Sequence, residues 1–234
     1  MKLSVQDLNS HYGPAHILFD VTLDVGESEA VALLGRNGAG KSTTFRSIVG
    51  LVPQRTGRIL FEGRDVSDQP THAIVRAGLG YVPEERRIFT DLTVEENLEV
   101  GRQPPRPGAP QWTRERLFDL FPNLAEMRGR PGGRMSGGEQ QMLTIARTLM
   151  GNPSLVLLDE PSEGLSPKIV EQMVEAILTM KKEGVSLLVS EQNPRVARLI
   201  SDRAYIMERG RICFSGTIAE LDSRPDIRNA YLAL

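Results

Sequence analysis

The sequence has 234 residues, 40% of them apolar, which suits one sizeable core or a domain carrying an inserted lobe. A formal net charge of −2 lacks the basic excess of an electrostatic nucleic-acid binder, so no nucleic-acid partner is expected. No apolar run approaches the ~20 residues of a membrane span, Gln6 and Asp7 interrupt any signal-peptide core, and the single Cys213 leaves no internal disulfide, which together point to the cytosol.

Short apolar runs separated by turns, at 3–5, 21–25, 31–34 and 58–61, predict strands. His11, His16 and His72 lack metal-ligand spacing and are read as surface or loop residues. After the third strand comes Gly35-Arg36-Asn37-Gly38-Ala39-Gly40-Lys41-Ser42, which fits G-x-x-x-x-G-K-[ST]. It opens a helix predicted over 41–49, closed by Gly50 and followed by Pro53. That strand–loop–helix context makes the motif a phosphate cradle. Glycines let backbone N–H groups curl around phosphate oxygens, and the helix start adds unpaired donors. Lys41 is placed for the β- and γ-phosphates and Ser42 for Mg2+; Gly35, Asn37, Gly38, Ala39, Gly40 and Thr43 complete the predicted nucleotide contacts.

Residues 80–82 read as another strand, ahead of Pro83 and Glu84. From about 93 to 150 the apolar spacing turns helical, as at Leu117, Leu120, Phe121 and Leu124. Pro104, Pro105, Pro107 and Pro110 mark an exposed loop inside it, and Trp112 just beyond is read as a packing anchor. The run Ser136-Gly137-Gly138-Glu139-Gln140-Gln141 admits two readings. Ser136 and Glu139 form a capping box, which many helices carry without binding anything. The glycine pair also exposes consecutive donors at a helix start, as an anion site would. Next, an apolar strand runs into Asp159 and Glu160, at the carboxyl edge where ligands bind in this fold class. Neighbouring strand residues point to opposite faces, so the two carboxylates divide the work. Asp159 is assigned to Mg2+, and Glu160 to orienting or deprotonating the attacking water. A helix over 167–182, a strand over 185–189 and a helix near Arg195 complete an alternation that predicts an α/β fold with a mostly parallel sheet. The expected organisation is one domain over 1–234, with its α/β core at 1–88 and 154–234 and a helical subdomain at 89–153.

The set GRNGAGKS, SGGEQQ and LVLLDEP, in this order across essentially the whole chain, resembles an ATP-binding cassette (ABC) domain. The resemblance implies a P-loop NTPase (RecA-like) core with an N-terminal antiparallel β subdomain and an inserted α-helical subdomain, acting on ATP with Mg2+. It also implies a head-to-tail dimer, in which Ser136, Gly137 and Gly138 meet the γ-phosphate of the partner's ATP. Tyr12 matches the aromatic that stacks on adenine, although a lone Tyr reads equally well as a surface residue. Three positions depart from the family pattern. Glu84 stands where most members carry a Gln that senses Mg2+ and the transport partner, and Ser166 where an Asp commonly contacts the other subunit. Gln192 stands where a His usually touches the γ-phosphate. A carboxylate at 84 can still hold Mg2+ or its water. Gln192 can donate a hydrogen bond but cannot become cationic or accept the proton, so slower intrinsic turnover is expected.

Those departures, with VPEERRIF, MSGGEQQML, DEPSEGLSP, SEQN and the closing run at 227–232, resemble the LivF-type ATPase of branched-chain amino-acid uptake systems. The resemblance implies an importer motor, peripheral on the inner face of the cell membrane. Its partners would be a second cassette (a LivG-like relative or another copy), two membrane-spanning permease subunits and, indirectly, a periplasmic or extracellular substrate-binding protein. The alternatives are the ATPase of a urea, amide or other ABC transporter, or a slowly hydrolysing ATP-dependent binding module. Urea-uptake ATPases are expected to carry Gln at position 84, and lipopolysaccharide-export ATPases His at 192. Retention of Glu160 speaks against the binding module. The short stretch between Lys41 and Asp159 holds no sustained heptads, which disfavours a coiled-coil ATPase of chromosome maintenance.

Overall fold

The computed structural model describes residues 1–231; Leu232, the end of the closing run, lies outside the described residues. The N-terminal strands follow from alternating apolar residues. β1 (Leu3–Tyr12) buries Leu3, Val5, Leu8 and Ser10, and β2 (Ala15–Val25) buries Leu18, Val21, Leu23 and Val25. The alternation slips once in each strand, at Asp7 and Asp20, both with positive φ, where the antiparallel register shifts. β3 (Ala30–Leu34) is buried throughout and runs through the glycine loop into α1 (Lys41–Ile48). β4 (Gln54–Phe61) and β5 (Arg64–Asp65) complete a four-stranded sheet of order β2-β1-β4-β5, antiparallel throughout.

After α2 (Thr71–Ala77) and β6 (Leu79–Val82) the chain turns helical. α3 (Val94–Gly101), α4 (Arg114–Leu120), α5 (Pro122–Ala125) and α6 (Gly137–Leu149) follow, with one tight turn at Gly132–Arg134. The four prolines fall between α3 and α4 in irregular chain. Trp112 beyond them is only 4% exposed and shares a core cluster with Leu117, Phe118 and Phe121, while its backbone N–H donates to Asn152 Oδ1 at 2.7 Å.

The remainder alternates again: β7 (Leu155–Asp159), α7 (Pro167–Lys182), β8 (Ser186–Glu191), α8 (Pro194–Ile200), β9 (Arg203–Glu208), β10 (Arg211–Thr217), α9 (Ile218–Asp222) and α10 (Pro225–Tyr231). Six strands form the second sheet, ordered β10-β9-β3-β8-β7-β6, parallel except where β10 folds back on β9. Its central strands read as unbroken apolar runs because both faces are covered. Leu155, Leu157 and Leu188 join the core that holds α1 and the antiparallel sheet, whereas Val156, Leu158, Leu187 and Val189 join the core of α6 and α7. Across the two sheets, Arg203 Nε donates to Glu29 Oε1 at 2.6 Å and its NH2 to Asp24 Oδ2 at 2.9 Å. No helix among the described residues is long and apolar enough to cross a membrane.

Phe45 is fully buried on α1, in the cluster that also contains Leu8, Leu18 and Leu157. Phe45→Ala is expected to destabilise the fold by about 3–5 kcal/mol, the usual cost of emptying an aromatic site. Urea unfolding checks this as a lowered midpoint at unchanged slope.

Candidate functional site

The carboxyl ends of β3, β7 and β8 lie side by side, in a register that pairs Leu34 with Glu191 and Asp159 with Ser190. That pairing brings the glycine loop, the Asp159–Glu160 corner and Gln192 to one edge of the parallel sheet. Gly38 and Gly40 adopt φ of +77° and +114°, left-handed backbone that a side chain would strain. A Cβ at Gly40 would also meet Leu18 Cδ2 at 2.9 Å. Gly40 caps α1 without a side-chain bond, and no acidic residue occupies the first helical turn. The free N–H groups and positive dipole end are therefore left for an anion. A cavity of about 360 Å³ opens at this loop, between Arg36, Asn37, Gly38 and Ala39 on one side and Met207, Glu208 and Arg209 on the other. The Gly210 N–H, donating to Ala39 O at 2.8 Å, fixes the hairpin turn to the loop.

Lys41 is buried. Its Nζ donates to Gly35 O at 2.8 Å and Arg36 O at 3.2 Å, and pairs with Glu160 Oε1 at 3.0 Å. Asp159 is wholly buried; Oδ1 accepts from Ser42 Oγ at 3.1 Å and Ser190 Oγ at 2.7 Å, and Oδ2 from Tyr81 OH at 3.3 Å. Burial pushes the Asp159 carboxyl up against the opposing effect of those hydroxyls. Glu160 departs from the expectation that both carboxylates belong to the strand. β7 ends at Asp159, and Glu160 turns out with φ of +45°, its N–H donating to Ser190 Oγ at 2.9 Å. A left-handed corner, rather than strand pleating, separates the two carboxylates.

Burial opposes ionisation of Glu160, but its bonds with Glu163, Lys41 and Gln192 outweigh that and hold its carboxyl below the usual range. Gln192 Nε2 donates directly to Glu160 Oε2. Glu163, sharing a hydrogen bond with Glu160 and partly desolvated, is pushed up to about 7. Glu84, exposed after β6, is also pushed up, by desolvation and then by the charges of Glu160 and Asp159. Thr43 lies half-buried in the first turn of α1.

Tyr12, at the end of β1, is 44% exposed. It lies within hydrogen-bond reach of Arg46, which also bonds Tyr81 and pairs with Glu85 Oε1 at 2.6 Å. Ser136, Gly137 and Gly138 start α6 away from this cluster, and no hydrogen bond or ion pair among the described residues joins them to the glycine loop. Both halves of the capping box form: Ser136 N–H donates to Glu139 Oε2 at 2.7 Å, and Glu139 N–H to Ser136 Oγ at 3.4 Å. Ser166 is exposed at the start of α7.

Sequence reasoning passed over Ser190, Tyr81, Arg46 and the Met207–Arg209 rim. Ser190 directly precedes the Glu191-Gln192-Asn193 run and could have been found from the strand register; the rim could not, because only the β9–β10 return brings it over the loop. Ser42 and Asp159 supply hard oxygens, and no group of three or more His, Cys, Asp or Glu forms a metal cage among the described residues. That set fits Mg2+, which is held by one or two side chains plus substrate phosphates and water.

A glycine loop opening a helix beside an acidic strand end defines a P-loop nucleotide-binding protein. Residues 18–163 match the family described as ABC transporter, and the chain belongs to that family as an ATP-binding cassette, an ATPase coupled to transport. It is 43% identical to the high-affinity branched-chain amino acid transport ATP-binding protein BraG of Pseudomonas aeruginosa, over 98% of this chain and 99% of that one. It is 37% identical to the lipopolysaccharide export system ATP-binding protein LptB of Haemophilus influenzae, over 98% and 96%. A solved ATP-binding subunit of an ABC transporter superposes with a TM-score of 0.81 at 29% identity, over 99% of this chain and 96% of that one.

Lys41→Ala removes the one buried cation at the loop. Mg-ATP binding is expected to weaken by about 10- to 100-fold, the worth of charge-assisted bonds of about 1.5–3 kcal/mol. Titration calorimetry on the folded variant measures the change.

Proposed function

We propose that this chain powers the import of branched-chain or other hydrophobic amino acids by closing on Mg-ATP with a second cassette and hydrolysing it. The observation that carries the reading is Glu160. It is a carboxylate held ionised at the mouth of the phosphate loop, with Lys41 on one oxygen and Gln192 on the other. An ionised carboxylate at that place can take a proton from attacking water. In this reading the phosphates draw Lys41 away from Glu160, leaving the carboxylate to orient the water. Ser42 and Asp159 hold Mg2+, which offsets phosphate charge, and Glu84 supplies a further oxygen beside them. Gln192 donates toward the γ-phosphate, and Tyr12 stacks on adenine. Ser136, Gly137 and Gly138 close over the partner's ATP, in a dimer of this chain with itself or with a related cassette. The α/β core (1–88 and 154–234) and the helical subdomain (89–153) move against each other as ATP binds, and the Glu84 loop passes the motion to two permease subunits at the inner membrane face.

The amino-acid cargo is supported by the likeness to BraG, and the lower identity to LptB supports lipopolysaccharide export less well. Gln192, in place of the His expected of export ATPases, points the same way.

Glu160→Gln is expected to bind Mg-ATP at near wild-type affinity while phosphate release falls by about 100-fold or more. Equal rates in the two proteins would remove Glu160 as the base. Gln192→His is expected to raise turnover, by up to about 100-fold, and an unchanged rate would show that Gln192 does not limit it. Tagged Glu160→Gln protein, recovered from native membranes with Mg-ATP, is expected to bring two multispanning permeases and a second cassette. Recovery of soluble proteins alone would overturn the importer reading.

A further inference from the structure

Close to the acidic corner lies a second buried carboxylate, which no step of the proposed reaction uses. Glu191 closes β8, beside Leu34 at the end of β3, and is only 2% exposed. Its Oε2 accepts from the Asn193 N–H at 3.4 Å. Among the described residues it has no ion pair, and its Oε1 is buried without a hydrogen-bond partner. Burial pushes its pKa up, while the Ser162 hydroxyl and the N–H groups of Asn193, Ser162 and Gln192 act against that rise. A carboxylate buried without a cation is costly, and a neutral side chain of the same volume would serve the fold better.

The donors around Glu191 come from two separate segments. Ser162 belongs to the turn that follows Glu160, where the Glu163 N–H donates to Glu160 O at 3.2 Å. Gln192 and Asn193 form the turn into α8, and Asn193 Oδ1 caps that helix by accepting from the Arg195 N–H at 3.0 Å. The same two segments meet once more where Gln192 Nε2 donates to Glu160 Oε2. A carboxylate has acceptor sites enough for donors from both. An amide has a single acceptor oxygen and would set its own N–H groups against those donors.

We propose that Glu191 is a positioning residue for hydrolysis, whose carboxylate holds the turn after Glu160 and the turn at Gln192 in register. The base and the γ-phosphate donor then keep their spacing when the nucleotide enters. The inference rests on the roles given to Glu160 and Gln192 above and adds what sets the distance between them. Reacting groups misplaced by about 1 Å can lose about 100-fold in rate, so a side chain that touches neither water nor phosphate can still govern turnover. A buried charge kept at a cost to stability is the expected mark of such a role.

Glu191→Gln, matched in volume, is the test. Its kcat for phosphate release is expected to fall about 10- to 100-fold, with KM for Mg-ATP little changed. Because the exchange also removes a buried, unpaired charge, its urea midpoint is expected to stay level or rise. A residue that merely supports the fold would show the reverse, a lowered midpoint and normal turnover by the folded fraction. Gln192→Ala completes a double-mutant cycle. On that background the side-chain bond to Glu160 is already gone, and Glu191→Gln is expected to change kcat by no more than about twofold. An unchanged kcat in Glu191→Gln, a lowered urea midpoint, or losses that simply add in the double variant would each overturn the inference. Glu160→Gln in the same assay keeps the two readings apart. If hydrolysis needs Glu160 and is indifferent to Glu191, the positioning role alone fails; if it needs neither, the reading of the site fails with it.

Discussion

A lysine buried at the mouth of a phosphate-binding loop needs a counter-charge, and that need organises the carboxyl edge of this sheet. Lys41 is 3% exposed and pairs with Glu160, itself 8% exposed. An unpaired charge at that depth would be far more expensive than the pair. To reach the lysine, Glu160 must leave the strand, and it does so through a left-handed turn held by Ser190. The same Ser190 hydroxyl bonds Asp159, so one side chain on β8 fixes the positions of both carboxylates. The parallel register of β7 against β8 is thus as much a part of the site as the acidic residues are.

Much of this was legible in the sequence. The glycine loop, the strand ending in Asp159 and the α7 helix over 167–182 follow from spacing and turn chemistry, because each depends on residues close together along the chain. From the residues alone the four-stranded sheet showed only as separate apolar runs, since the pairing of β1 with β4 joins segments some fifty positions apart, and its antiparallel character came from the family resemblance. β9 and β10 went unmarked. β10 is an edge strand with alternating partial exposure, so its apolar signal is weak. The Glu160 corner was misjudged because period-two reasoning assumes that a strand continues, whereas local geometry is decided by a buried cation more than a hundred residues earlier in the chain.

The residues around Tyr81 show how the sheet edge and the outer surface share components. Tyr81 bonds Asp159 on one side and Arg46 on another, and Arg46 reaches Glu85 in the segment that follows β6. Tyr81 also lines a groove of about 370 Å³ between α2, β6, α3 and α6. A single tyrosine therefore borders both the acidic cluster and the groove, and displacement of the segment after β6 would be felt at Asp159 through direct contacts.

The closed capping box at Ser136 has a consequence for association. Because Ser136 and Glu139 already satisfy one another's backbone donors, the start of α6 is held in its helical form before anything meets it. The Gly137 and Gly138 N–H groups have no hydrogen-bond partner among the described residues, at the start of an element whose geometry is settled. In the closed dimer proposed above, a phosphate meeting this preordered helix start would incur little entropy loss from ordering it, so its affinity would reflect the contacts themselves. Loosening the box would leave those donors in place yet reduce their grip, a loss expressed as faster dissociation.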